Sequence, residues 1–167
     1  MVIQGYIHLI KGNLQTTQII DPALVAAGDP ALIAAGCLVE RDPGFAERVR
    51  EGDLLVLDGA LRGDEHAEAA IIALQAVGLA AVICAAADPA IISQGMRYGL
   101  PVLIIPAAAQ TVREGDLLRL DLERGQLEAN GARWTYPPLP ADALTAVRRV
   151  QLLSRMRRVV EDEGFAE

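Results

Sequence analysis

Residues 49–86 read VREGDLLVLDGALRGDEHAEAAIIALQAVGLAAVICAA, and their order decides the fold. DLLVLD is a short apolar run opened by Gly-Asp and predicts a buried strand. EHAEAAIIALQAVG is too long for a strand, is apolar on nearly every face, and predicts a buried helix closed by Gly78. LAAVICAA predicts a second buried strand. The same alternation continues with DPAIISQGMRYG (88–99), a shorter helix, and LPVLIIP (100–106), another apolar strand. Continuously apolar strands separated by helices imply a parallel sheet covered on both faces, because each crossover lays a helix on the sheet.

Working outward, VREGDLLVLD (49–58) returns as VREGDLLRLD (112–121). The neighbouring sequence does not repeat, so this is a local device used twice and not a solenoid period. In each copy the Gly can turn the chain, the Asp can accept from nearby backbone amides, and the leucines then enter a strand. Before this core, VIQGYIHLI (2–10) predicts an N-terminal strand, and DPALVAAGDPALIAAGCL (21–38) a pair of short turns or helices, each opened by Asp-Pro. His8 falls in that first strand, as a pairing or packing residue. After the core, LLRLDLERGQLEANGARWTYPPL (117–139) predicts a strand meander turning at Arg124-Gly125 and Asn130-Gly131; its Trp134 and Tyr136 pack at a surface or interface. From Ala141 to about Glu163 an amphipathic helix carries Leu144, Val147, Leu152, Met156 and Val159 on or near one stripe, available to cap the core or to meet a partner.

The chain has 167 residues, the size of one domain, and 52% hydrophobic residues with only 4% aromatic, which implies a core of small aliphatic groups. We expect a single domain, 1–167. A net charge of −7 offers no general field for nucleic acid or anionic lipid. Arg148, Arg149, Arg155, Arg157 and Arg158 form a local basic run followed by Glu161, Asp162 and Glu163, the pattern of a solvated helix face. Cys37 and Cys84, with His8 and His66, have no spacing that builds a zinc or iron–sulfur site. No run reaches spanning length and the N-terminus lacks the parts of a secretory signal, so we expect a soluble cytoplasmic protein with no membrane or nucleic-acid partner.

The phrases DPGFAERVREGDLLVLDG, ALQAVGLAAVI and YGLPVLII resemble the small subunit of 3-isopropylmalate dehydratase, the swivel domain of the aconitase superfamily. The family pattern Asp-Pro-x-Phe-Ala followed by Val-x-x-Gly-Asp and a strand is met from Asp42 to Val56. VREGDLLRLDLERGQLE is similar to its later Glu-Gly-Asp, strand and hairpin, and PLPADAL to the opening of its last helix. The likeness runs from about Ile3 to Val160. It implies a swivelling β/β/α domain of α/β class, with a largely parallel central sheet, a β-meander and a C-terminal helix. It also implies a lyase of leucine biosynthesis in which a separate large subunit holds a [4Fe–4S] cluster and dehydrates and rehydrates a malate-type acid. No cofactor is then expected in this chain.

The same resemblance implies three active-site segments, and here all three depart from the family pattern. The Gly-Ser-Ser-Arg-Glu loop, which supplies a serine base and an arginine for a substrate carboxylate, falls on Asp64, Glu65, His66, Ala67 and Glu68 when aligned without a gap. A shifted alignment places Arg-Glu-His-Ala on DEHA (64–67). Neither supplies the serines or the arginine. Asp-Thr-Asp-x-Ile-Ile-Pro corresponds to QTTQIID (15–21), keeping Thr16, Ile19 and Ile20, while Ser-Phe-Ala-Arg-Ile-Phe-Tyr-Arg-Asn corresponds to AADPAIISQ (86–94), with Pro89 and Ser93 at the arginine positions.

Three readings of the acidic loop stay open. Asp64 or Glu65 caps a helix with Glu68 as a first-turn dipole partner; His66 acts as acid or base, oriented by Glu65 or Glu68; or His66, Asp64 and Glu68 bind a divalent ion. No metal site is assigned, because acidic residues precede many helices without one. Thr16 and Arg62 are the candidates for substrate contact, with Arg97 a further cation. Two functions follow: a hydro-lyase small subunit, of isopropylmalate dehydratase or homoaconitase type, impaired by its replaced loop and paired with a cluster-bearing large subunit; or a non-catalytic, self-associating homologue serving assembly, regulation or ligand binding.

Overall fold

In the computed structural model, which describes residues 1–63 and 65–164 (Arg158 and 161–164 as backbone alone), the sheet is organised around the first strand. β1 (Val2–Ile10) has β3 (Leu54–Leu57) parallel on one side and β8 (Leu117–Asp121) antiparallel on the other. Parallel pairing continues from β3 to β5 (Ala81–Cys84) and β7 (Val102–Ile104). Antiparallel pairing continues from β8 to β9 (Gln126–Ala129) and β10 (Ala132–Thr135). The seven strands therefore run β10-β9-β8-β1-β3-β5-β7.

The expected α/β class and the expected elements are present. The two Asp-Pro segments form α2 (Pro22–Ala27) and α3 (Pro30–Gly36), the long apolar run forms α5 (Ala67–Ala76), and the shorter one α6 (Pro89–Tyr98). Three short helices lacked an apolar period to announce them: α1 (Thr16–Ile19), α4 (Phe45–Arg48) and α7 (Pro106–Thr111). LAAVICAA is not one strand. The chain leaves the central sheet after Cys84, and Ala86–Ala87 (β6) joins a second, three-stranded parallel sheet with β2 (Leu14–Gln15) and β4 (Ala60–Arg62), in the order β2-β4-β6.

Alternate residues of the central strands feed two cores. Leu55, Leu57, Val82 and Cys84 face α5, α6 and the N-terminal helices; Leu54, Val56, Ala81 and Ile83 face the meander and α7. α5 is apolar on nearly every face because α1, α2, α3 and α6 pack about it. Burial of such side chains stabilises by roughly 1.5–3 kcal/mol each, which makes this double-faced packing the main source of stability.

The duplicated decapeptide builds the two strands that flank β1. Gly52 and Gly115 take φ of 95° and 83°, open to glycine at no steric cost. Asp53 accepts from Arg50 N at 3.0 Å and Asp116 from Arg113 N at 2.8 Å, the side-chain turn the repeat predicted. β1 is pressed close to the first turn: a Cβ on Gly5 would lie 2.2 Å from the Gly52 carbonyl oxygen.

The last helix, α8 (Ala141–Gly164), divides along its length. Ala143 and Val147 are buried and Leu144 packs against the meander-side core, while Leu152, Leu153, Met156, Val159 and Val160 are exposed. Its first turns cap the core and its later turns do not. The side chains of Glu161, Asp162 and Glu163 lie outside the described residues. Trp134 packs partly buried on the core, and Tyr136 is buried with its hydroxyl donating to the Asp121 carbonyl at 3.1 Å. No helix among the described residues is long and apolar enough to cross a membrane.

Candidate active site at the ends of the small sheet

The small parallel sheet gathers the three segments that the sequence singled out. Leu14 pairs with Leu61 and Gln15 with Arg62, while Ala60 and Leu61 pair with Ala86 and Ala87. Thr16, Gly63 and Asp88 each follow the last paired residue of their strand, so they sit together at the carboxyl ends of β2, β4 and β6. The carboxyl ends of parallel strands are where open α/β sheets bind ligands, since side chains and helix N-termini converge there. Thr16 is buried, only 2% exposed. Gly63 lies against it with φ of 121°, and a Cβ there would be 2.3 Å from Thr16 Oγ1.

Arg62 and Gly63 hold one carboxylate between them, that of Asp88. Arg62 Nη1 is 2.8 Å from Asp88 Oδ1 and Gly63 N donates to Asp88 Oδ2 at 2.8 Å. The Gly63 amide, then the Arg62 guanidinium, hold the Asp88 carboxyl below the usual carboxylate range. The Arg62 proposed for substrate contact is therefore already partnered. Asp88 had no part in the sequence reading, although Asp-Pro at 88–89 opened a predicted helix.

The loop before α5 is described at Glu65, His66 and Glu68. The residue preceding the helix is His66, with no side-chain cap hydrogen bond, and Glu65 stands exposed one residue earlier without a partner among the described residues. Asp64 lies outside the described residues. Glu68 is in the first turn, as expected for a dipole partner, and also accepts from the Tyr98 hydroxyl across the α5–α6 contact. That hydrogen bond, with burial and the Glu68 charge, pushes the Tyr98 phenol upward. Neither Glu65 nor Glu68 is bonded to His66, and Arg97 lies over the Tyr98 ring at 5.7 Å.

His8 occupies a different place. Its Nε2 is bonded to buried Asp53, and its ring meets Phe45 edge-on at 5.6 Å, the packing role expected of it. A cleft of about 620 Å³ opens at the amino ends of the strands, between Val2, Gly52, Ala80 and the inner side of α8 at Val147 and Leu153. None of the three segments reaches it, so the chemistry of this chain is sought at the small sheet.

Among the described residues no group of three or more His, Cys, Asp or Glu side chains could hold a metal ion. Cys37 and Cys84 are separately buried, and burial pushes both thiols up to about 12, the reverse of what thiolate ligation requires. The donors of this chain do not fit an iron–sulfur cluster.

No family model matches the chain. It is similar to the 3-isopropylmalate dehydratase small subunit of Moorella thermoacetica, 31% identical over 140 residues and covering 84% of each chain. It is also similar to that of Heliobacterium modesticaldum, 27% identical over 164 residues, covering 96% of this chain and 99% of the relative. The crystal structure of 3-isopropylmalate dehydratase from Methanocaldococcus jannaschii superposes with a TM-score of 0.72 at 22% identity, covering 92% of this chain and 99% of that one, which shows the fold. With the α/β fold, the doubled Gly-Asp strand openings and these relatives together, the chain belongs to the family of 3-isopropylmalate dehydratase small subunits.

Proposed function

We propose that this chain is the small-subunit component of a hydro-lyase of isopropylmalate dehydratase or homoaconitase type, acting as one swivelling domain beside a large subunit. That subunit carries the [4Fe–4S] cluster, which supplies the Lewis-acid chemistry of removing and adding water. The setting is leucine biosynthesis in the cytoplasm. The observation that carries this reading is the meeting of residues 15–16, 62–63 and 88 at the carboxyl ends of β2, β4 and β6.

The chain's own contribution to the chemistry is impaired. Thr16 and Arg62 stand on the substrate side, but Arg62 is engaged by Asp88 and the loop residues Glu65, His66 and Glu68 supply no serine base. His66 is the candidate acid or base of the loop, with neither Glu65 nor Glu68 bonded to it. The engaged Arg62 also favours a second reading, a non-catalytic homologue kept for assembly, regulation or ligand binding that associates with itself.

Anaerobic co-purification with mass spectrometry and an iron assay separates the two. A stoichiometric cluster-bearing large subunit, followed by turnover of a malate-type acid, supports the hydro-lyase reading. A chain that returns alone or as copies of itself overturns it.

A further inference from the structure

Three helices of this chain open on Asp-Pro, and they use the aspartate in two ways. In α2 and α3 the carboxylates of Asp21 and Asp29 cap their own helices, accepting from Ala23 N and Ala31 N at 3.0 Å. This is the ordinary use of Asp at that position. Asp88 has the same extended backbone, φ −67° and ψ 142°, and the same Pro after it, and its carbonyl accepts from Ile91 N at 3.0 Å, yet its side chain makes no bond to its own helix. Both of its oxygens turn to the end of β4, one to Arg62 Nη1 and one to Gly63 N. A guanidinium N–H and a backbone N–H facing the two oxygens of one carboxylate form a carboxylate seat. It lies where parallel strands present ligand sites.

We infer that Asp88 is an internal occupant of a carboxylate seat made by Arg62 and Gly63, and that it sets the specificity of this mouth by excluding short dicarboxylates. An incoming acid has to displace a carboxylate tethered at the site, against the high effective concentration of an intramolecular group. The sacrifice of a helix cap fits this role, since self-capping by Asp88 was available at no cost in backbone geometry. The choice of malate as probe rests on the function proposed above; the seat itself rests on the geometry alone.

The test is titration of the isolated, ¹⁵N-labelled full chain with malate, against chloride at matched ionic strength, following the Gly63 amide. The wild type is expected to show no saturable shift. Asp88→Ala should show one, with binding at least about tenfold tighter, the factor released when a charge-assisted contact no longer has to be broken first. Arg62→Ala added to Asp88→Ala should abolish the gain. Asp88→Asn, which removes the charge and keeps an acceptor for Gly63, gives the same reading should the alanine variant fold poorly. Saturable binding by the wild type equal to that of the variants, or a folded Asp88→Asn that binds no better than wild type, overturns the inference. Both outcomes are independent of whether a large subunit co-purifies, so failure here is distinct from failure of the hydro-lyase reading.

Discussion

His8 Nε2 lies 2.7 Å from Asp53 Oδ2, and the two side chains are buried together between β1 and the opening of β3. Asp53 also accepts from Tyr6 N at 3.2 Å and Arg50 N at 3.0 Å, so one carboxylate joins the first strand to the turn that starts the second. On the other side of the ring, His8 Nδ1 is 3.8 Å from Glu114, which belongs to the second copy of the repeat. The histidine thus stands between the two copies.

Asp53→Ala is expected to cost about 3 kcal/mol, because two amides and a buried imidazole lose their acceptor at once. Asp116→Ala, the same residue in the second copy, should cost clearly less. It has no buried imidazole to leave unpartnered, and its turn is open to water. Denaturant unfolding of the two variants checks the ranking, and equal losses would mean that the turn alone, without His8, sets the cost.

Gly63→Ala should destabilise by about 2 kcal/mol or more, from positive φ together with the collision with Thr16 Oγ1. Adding Thr16→Ala should recover the collision and leave the backbone part, which a double-mutant cycle on unfolding free energy resolves. By contrast, His66→Ala and Arg62→Ala should stay within about 3 °C of the wild-type Tm, since the first is partly exposed and uncapped and the second loses an exposed pair.

The decapeptide repeat marks how far the sequence was legible. Its two copies differ at one position, Val56 against Arg119, and the fold explains the difference: β3 is covered on both faces, whereas one face of β8 meets water. The shared Leu at 54 and 117 is fully buried in one and 44% exposed in the other, which no local pattern distinguishes. The strands of the large sheet, the long helices and the three site segments followed from apolar runs, Asp-Pro and family phrases, whereas the small sheet of β2, β4 and β6 carried no such run. The contact of Asp88 with Arg62 did not, because it joins residues 26 apart through a two-residue strand too short to carry a signal. Nor did the position of His66 directly before α5, since a Glu ahead of a helix promises capping whether or not its backbone aims it at the free amides.

Cys37 and Cys84 should be silent toward Ellman's reagent in the native chain at mildly alkaline pH and should react together once denaturant is added. Burial raises both thiols to about 12, so the neutral form is favoured in the fold. The corresponding stability is present below the unfolded thiol value and is lost as pH rises through the folded one. Rapid labelling of the native chain would place at least one thiol outside the core.

Asp42, Asp88, Asp116 and Glu123 are each held below the ordinary carboxylate range: Asp42 first by its hydrogen bond to Arg48, Asp88 by Gly63 N, Asp116 by Arg113 N, and Glu123 by Arg148. Their folded values lie below the unfolded ones, so their stabilising effect is complete above the unfolded value and is lost as pH falls through the folded values. The Tm should fall as pH drops below the ordinary carboxylate range, and Asp42→Asn with Asp88→Asn should flatten that slope. An unchanged slope would show these contacts to be absent in solution.

The division of α8 into a packed and an unpacked half has an electrical side. Residues 148–160 hold five arginines and no acid, so with the whole chain at −7 the remainder carries −12. Five of the chain's fifteen basic residues lie on this segment, with Arg149, Arg155 and Arg157 in solvent and Arg148 paired with Glu123. The unpacked turns are thereby a short basic stretch on an acidic chain, with Glu161, Asp162 and Glu163 next to it in sequence. Beside an acidic surface the chain should approach by this stretch, an attraction that weakens as salt rises.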